Sequence, residues 1–122
     1  MSQHMPRKKA TLTLQGSGHD SVVYDREREL AFCLNPIAAQ VLGLCDETVT
    51  VADARGRLGR PEDEASDLLA LTLTLLSAQG LLADPIEANL TLAEFVSRWK
   101  PPVGTLPFVA SVPVARPAPV YF

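Results

Sequence analysis

The dipeptide Asn35-Pro36 divides this chain into two stretches that cannot fold alike. Asn is a strong N-cap, because its side-chain oxygen accepts an otherwise unpaired backbone N–H, and Pro suits the first helical position, where its missing N–H is no loss. Upstream, the apolar residues come in short β-prone runs. Thr11-Leu12-Thr13-Leu14 alternates with a period of two before Gly16-Ser17-Gly18 interrupts it, which reads as a short strand and a loop. Ser21-Val22-Val23-Tyr24 and Leu30-Ala31-Phe32-Cys33-Leu34 are separated by a charged connector over residues 25–29, a hairpin signal.

Downstream, the period becomes helical. Ile37, Ala38, Val41, Leu42 and Cys45 share one face of a first helix, which Asp46-Glu47-Thr48 brings to an end. Thr50-x-x-Asp53 has the layout of a capping box with Asp in place of Glu or Gln; Val51, Ala54 and Leu58 supply the buried side of a short second helix, and Gly59 closes it. Pro61 opens the longest helix, with Glu62, Asp63 and Glu64 where negative charge favours the positive end of the dipole. Ala65, Leu68, Leu69, Leu75 and Leu76 lie near one face of it, while Leu71 and Leu73 spread the apolar surface further than one buried face requires. Gly80 stops that helix, and Leu81-Leu82-Ala83 leaves in extended form. A fourth amphipathic piece, residues 91–100, carries Leu92, Phe95, Val96 and Trp99 at helical spacing and ends at Pro101-Pro102.

Composition narrows the classes open to such a chain. At 122 residues, with 47% hydrophobic and 20% charged side chains, it has enough material for one modest core and too little for a large multi-domain enzyme. Only 6% of residues are aromatic, which leaves few platforms for stacking single-stranded bases. A net charge of −3 and a single basic run, Arg7-Lys8-Lys9, argue against a nucleic-acid footprint. The most Leu-rich segment, residues 68–76, is interrupted by Thr72 and Thr74 and falls far short of a membrane span; the N-terminus has no long apolar core of the signal-peptide kind. The expected compartment is the cytoplasm, with Cys33 and Cys45 reduced and no metal site, since His4 and His19 lie well upstream of both.

Four regions follow: a frayed N-terminus over 1–9, a folded unit over 10–84, the additional helix over 85–100, and a tail over 101–122 that holds six of the ten prolines and, among charged residues, Arg116 alone. These prolines exclude a helix and a central strand. Within the tail, Leu106, Phe108, Val109 and Val112 would all be wetted together if it stayed in solvent, so the tail is expected to occupy or border a sheet edge or the Leu-rich groove, in its own chain or in a second copy.

Three strands as an antiparallel meander, then three helices, make an α+β, winged-helix-like domain with a C-terminal extension. Val22-Val23-Tyr24-Asp25, Leu34-Asn35-Pro36-Ile37-Ala38-Ala39, Leu44-Cys45-Asp46, Thr50-Val51-Ala52-Asp53, Asp67-Leu68-Leu69 and Gly80-Leu81-Leu82 succeed one another in an order that resembles the PqqD-like family of RiPP recognition elements, over roughly residues 20–83. The sequence departs from that pattern at Glu47, where Gly is often found, and in its longer tail. The resemblance implies a non-catalytic peptide chaperone without cofactors. Its partners would be the leader of a ribosomally synthesised precursor and a peptide-modifying enzyme, for instance of the radical-SAM class. It further implies strand addition at the third strand, Leu30, Ala31, Phe32, Cys33 and Leu34, over a groove floored by the third helix, with Leu68, Leu71, Thr72 and Leu75. A meander leaves its outer strands with unpaired N–H and C=O groups, which suits that mode of capture. A homodimer through strand or tail exchange is compatible with it.

No catalytic set competes. Cys33 has no base near it in sequence, His19 is a lone loop histidine, and Glu62, Asp63, Glu64 and Asp67 are accounted for by helix-start electrostatics. The main rival is a winged-helix DNA-binding regulator, favoured only by the spaced Arg55, Arg57 and Arg60 and disfavoured by a third helix with no basic residue between Pro61 and Leu82. A third reading is a structural subunit that docks through Val112-Pro113-Val114-Ala115-Arg116-Pro117 in a polyproline conformation.

Overall fold

The computed structural model describes residues 4–17, 20–46, 48–86, 89–102 and 105–113. Four strands, β1 (Leu12–Ser17), β2 (Asp20–Asp25), β3 (Leu30–Leu34) and β4 (Val109–Pro113), form one antiparallel sheet in the order β1-β2-β3-β4. Between β3 and β4 come α1 (Pro36–Gly43), α2 (Val51–Gly56), α3 (Glu62–Ala78) and α4 (Leu92–Trp99). The expected three-stranded meander is therefore extended by one strand taken from the proline-rich tail, and β3 is an interior strand rather than an edge. Gly16 and Ser17, expected to interrupt β1, continue it, because they pair with Ser21 and Asp20. His19, Glu47 and residues 114–122, which include most of the polyproline stretch, lie outside the described residues.

Local chemistry sets the helix boundaries. Asn35 caps α1 by accepting the Ala38 N–H, Thr50 caps α2 by accepting the Asp53 N–H, and Thr91 and Glu94 form a reciprocal capping box at α4. Gly80 follows α3 at φ +74°, a conformation that a side chain would strain. It also sits where an added Cβ would come within 2.8 Å of the Arg28 guanidinium. Arg28 donates to the Gln79 and Gly80 carbonyls at the carboxyl end of α3, to the buried Asp25 carboxylate at 2.7 Å, and lies over the Phe32 ring. One side chain thus fastens the β2–β3 turn to the end of α3.

The main core is built from Val23, Phe32 and Leu34 of the sheet, Ala38, Val41 and Leu42 of α1, and Leu69, Leu73 and Leu76 of α3. Residues 4–9, expected to fray, are tied down: Met5 is buried, its N–H donates to Val49, His4 and Lys8 bridge to Thr50 and Leu82, and Arg7 pairs with Asp84. Burying Met5 removes from water an apolar side chain with no strong signal in its own segment.

Candidate functional site

The sheet edge expected to receive a peptide carries one from its own chain. β4 pairs with β3 over the full five residues, from Leu30 opposite Pro113 to Leu34 opposite Val109. The Asn35 N–H donates to the Phe108 carbonyl, which makes that pair a hydrogen-bonding one. Alternation along an antiparallel ladder then assigns the bonding positions to Cys33 with Ala110 and Ala31 with Val112, and the non-bonding ones to the pairs with Val109, Ser111 and Pro113. Pro113 falls in a slot that needs no donor, so this proline is tolerated within the strand.

Asn35 does more than cap a helix. Its Oδ1 accepts the Ala38 N–H at 3.1 Å and the Phe108 N–H at 3.0 Å, while its Nδ2 donates to the Leu106 carbonyl at 2.6 Å. Together with its backbone N–H, this residue holds the chain entering β4 by three hydrogen bonds. The capping signal was legible in the sequence. Its grip on a segment more than seventy residues away had no local signature.

The α3 surface expected as a groove floor is covered as well. Leu68 and Leu71 are buried in a second cluster with Leu90 and Phe95 of the α4 region, and Leu75, Trp99 and Leu106 pack against it. The Thr72 hydroxyl is buried and donates to the Leu68 carbonyl, so it offers nothing to a ligand. On β3, Phe32 and Leu34 are buried in the core, while Ala31, Cys33 and Leu30 stay half-buried. Asp67 anchors the cover: its Oδ2 accepts from Arg98 at 2.6 Å and from the Trp99 indole N–H at 2.8 Å. Burial pushes the Asp67 carboxyl up, but those two donors outweigh it and hold the group below the ordinary carboxylate value. Of the apolar positions expected on α4, Phe95 is buried and Trp99 half-buried, whereas Leu92 and Val96 are exposed.

Other chemistry is sparse. Cys45 is buried, its thiol pushed up to about 12 by desolvation and engaged with the Val41 carbonyl. No group of His, Cys, Asp and Glu among the described residues could hold a metal ion, and no described helix is long and apolar enough to cross a membrane. Arg60 is paired with Glu64 at the start of α3. A separate cavity of about 700 Å³ lies between the N-terminal arm, α2 and α3, lined by Met5, Val51, Arg55, Leu69, Leu73 and Ile86 among others. No family model, curated protein or solved structure matches this chain.

Proposed function

We propose that this chain is a non-catalytic peptide-binding domain, winged-helix-like in plan and of the PqqD-like kind that its sequence resembles. It would capture the leader of a ribosomally synthesised precursor by strand addition and present it to a modifying enzyme. The observation that carries the reading is the pairing of β3 with a remote, apolar, extended segment along its whole length, anchored by Asn35. An edge that accepts β4 in this register offers an incoming peptide the same N–H and C=O groups at Ala31 and Cys33 and the same side-chain clamp. Backbone pairing supplies affinity, and the apolar surface around Leu75 and Trp99 selects sequence.

Titration of isotope-labelled protein with leader segments of precursor peptides tests the proposal. Heat in calorimetry, with resonance shifts centred on Ala31, Cys33 and Asn35, is the expected outcome. Shifts confined to other surfaces, or no binding by any leader, contradict it.

A further inference from the structure

We propose that β4 is an intrinsic occupant of the β3 edge: an incoming peptide must displace it, and the segment's own chemistry states what that peptide resembles. The inference rests on the reading of this edge as a peptide site and adds its regulation and its ligand class.

Three observations converge. First, the side chains of β4 that are described, at residues 109–111, add little to the buried core. Val109 and Ala110 are half-buried, Val109 only packing against the buried core, and Ser111 is exposed. The other strands that meet the core contribute Val23, Phe32 and Leu34, each at most 1% exposed. Lifting residues 109–111 away removes no member of the buried core, which marks an element of low local stability. Second, among the described residues β4 is the last strand of the sheet, paired on one side only, so it can leave without breaking another described ladder. Third, the grip on it is concentrated in Asn35, whose α1 cap is a separate hydrogen bond and survives departure of the segment.

The occupant also defines a ligand class. Residues 105–113 carry no charge. Their sequence places an apolar residue at Val109 toward the core, a small one at Ala110 opposite Cys33, and an exposed Phe108 beside the Asn35 clamp. A competing peptide should be uncharged, extended and apolar, with a small residue opposite Cys33. A site occupied by its own strand nine-tenths of the time binds such a peptide about tenfold more weakly than an open one.

Cys33 provides the test, because it faces Ala110 across the ladder. Opposite residues of a hydrogen-bonded pair have Cα atoms about 5.5 Å apart, within the span of a disulfide. A110C therefore lets oxidation lock β4 onto β3 in the full chain, while the buried Cys45 stays apart. A110P removes a ladder donor from β4 and opens the edge. The probe is a fluorescent synthetic peptide with the sequence of residues 105–113. We expect A110P to bind it at least about tenfold more tightly than the unaltered protein. Oxidised A110C should not bind it, and reduction should restore the unaltered level. Should A110P fail to fold, by its circular dichroism, the oxidised and reduced forms of A110C decide the matter alone. Probe binding that neither locking nor opening changes overturns the role of β4 and leaves a peptide site standing. No probe binding by folded A110P and reduced A110C overturns capture at this edge altogether.

Discussion

Replacing Asn35 separates two roles that a single side chain performs. Asn35→Ala removes the α1 cap, worth about 1 kcal/mol. It also removes the two side-chain hydrogen bonds to Leu106 and Phe108, each worth about 0.5–1.5 kcal/mol net in a site that water can reach. The total loss is about 2–4 kcal/mol. Asn35→Ser is the informative companion, since Ser caps a helix about as well as Asn but is too short to span to the Leu106 carbonyl. It should lose about 1–3 kcal/mol, all of it from the tail. Urea unfolding of both variants gives the difference, and amide exchange locates it: faster exchange at Ala110 and Cys33 in both variants, and at Ala38 in Asn35→Ala only. If Asn35→Ser loses almost nothing and Asn35→Ala only about 1 kcal/mol, with Ala110 exchange unchanged, Asn35 is a helix cap and nothing more.

Other consequences are as direct. The Asp25 side chain is fully buried, and burial pushes its carboxyl up, yet Arg28, Thr11 and two backbone N–H groups more than compensate and hold it below the ordinary value. Stability drawn from a depressed carboxylate is present above the unfolded value of about 3.9 and is lost as pH falls through the folded one. Asp25→Asn should therefore cost about 3 kcal/mol at pH 7, with the gap from the parent protein narrowing below about pH 4; a gap independent of pH in urea titrations contradicts this. A thiol reagent at pH 8 should modify the half-buried Cys33 and leave Cys45 untouched in the folded protein, as mass spectrometry of digested fragments can show, because a thiol raised to about 12 supplies almost no thiolate. Asp67→Ala should loosen α4, cost about 1–2 kcal/mol, and shift the emission of Trp99, the sole tryptophan, to the red; unchanged emission means that α4 is held by Phe95 alone.

What the sequence revealed and what it concealed divide along the range of the interactions involved. Helix starts at Asn35-Pro36, Thr50 and Thr91 and the stop at Gly80 are matters of a few neighbouring atoms, and each is found at its expected residue, though the capping box that Glu94 completes was not read. The β2–β3 hairpin is equally local. The pairing of Leu34 with Val109 joins residues seventy-five positions apart, and its register depends on which slot can accept Pro113, which no single segment discloses. The apolar character of the tail pointed to burial on an edge or groove, without fixing which edge or what register. Leu92 and Val96 show the converse error: helical spacing suggested one buried face, but only Phe95 and Trp99 of that face pack against the α3 cluster. Residues 4–9 of the N-terminal arm were misread because polar residues 7–9 obscured Met5, which is buried and donates its N–H to Val49.

Distances between backbone protons of bound peptide and protein test the central claim most directly. With isotope-labelled protein and an unlabelled leader peptide, nuclear Overhauser contacts should run from the peptide backbone to Ala31, Cys33 and Asn35 in antiparallel order, while those between β3 and β4 disappear. A peptide that binds with the β3–β4 contacts intact, for instance in the cavity between the N-terminal arm and α3, contradicts capture at this edge.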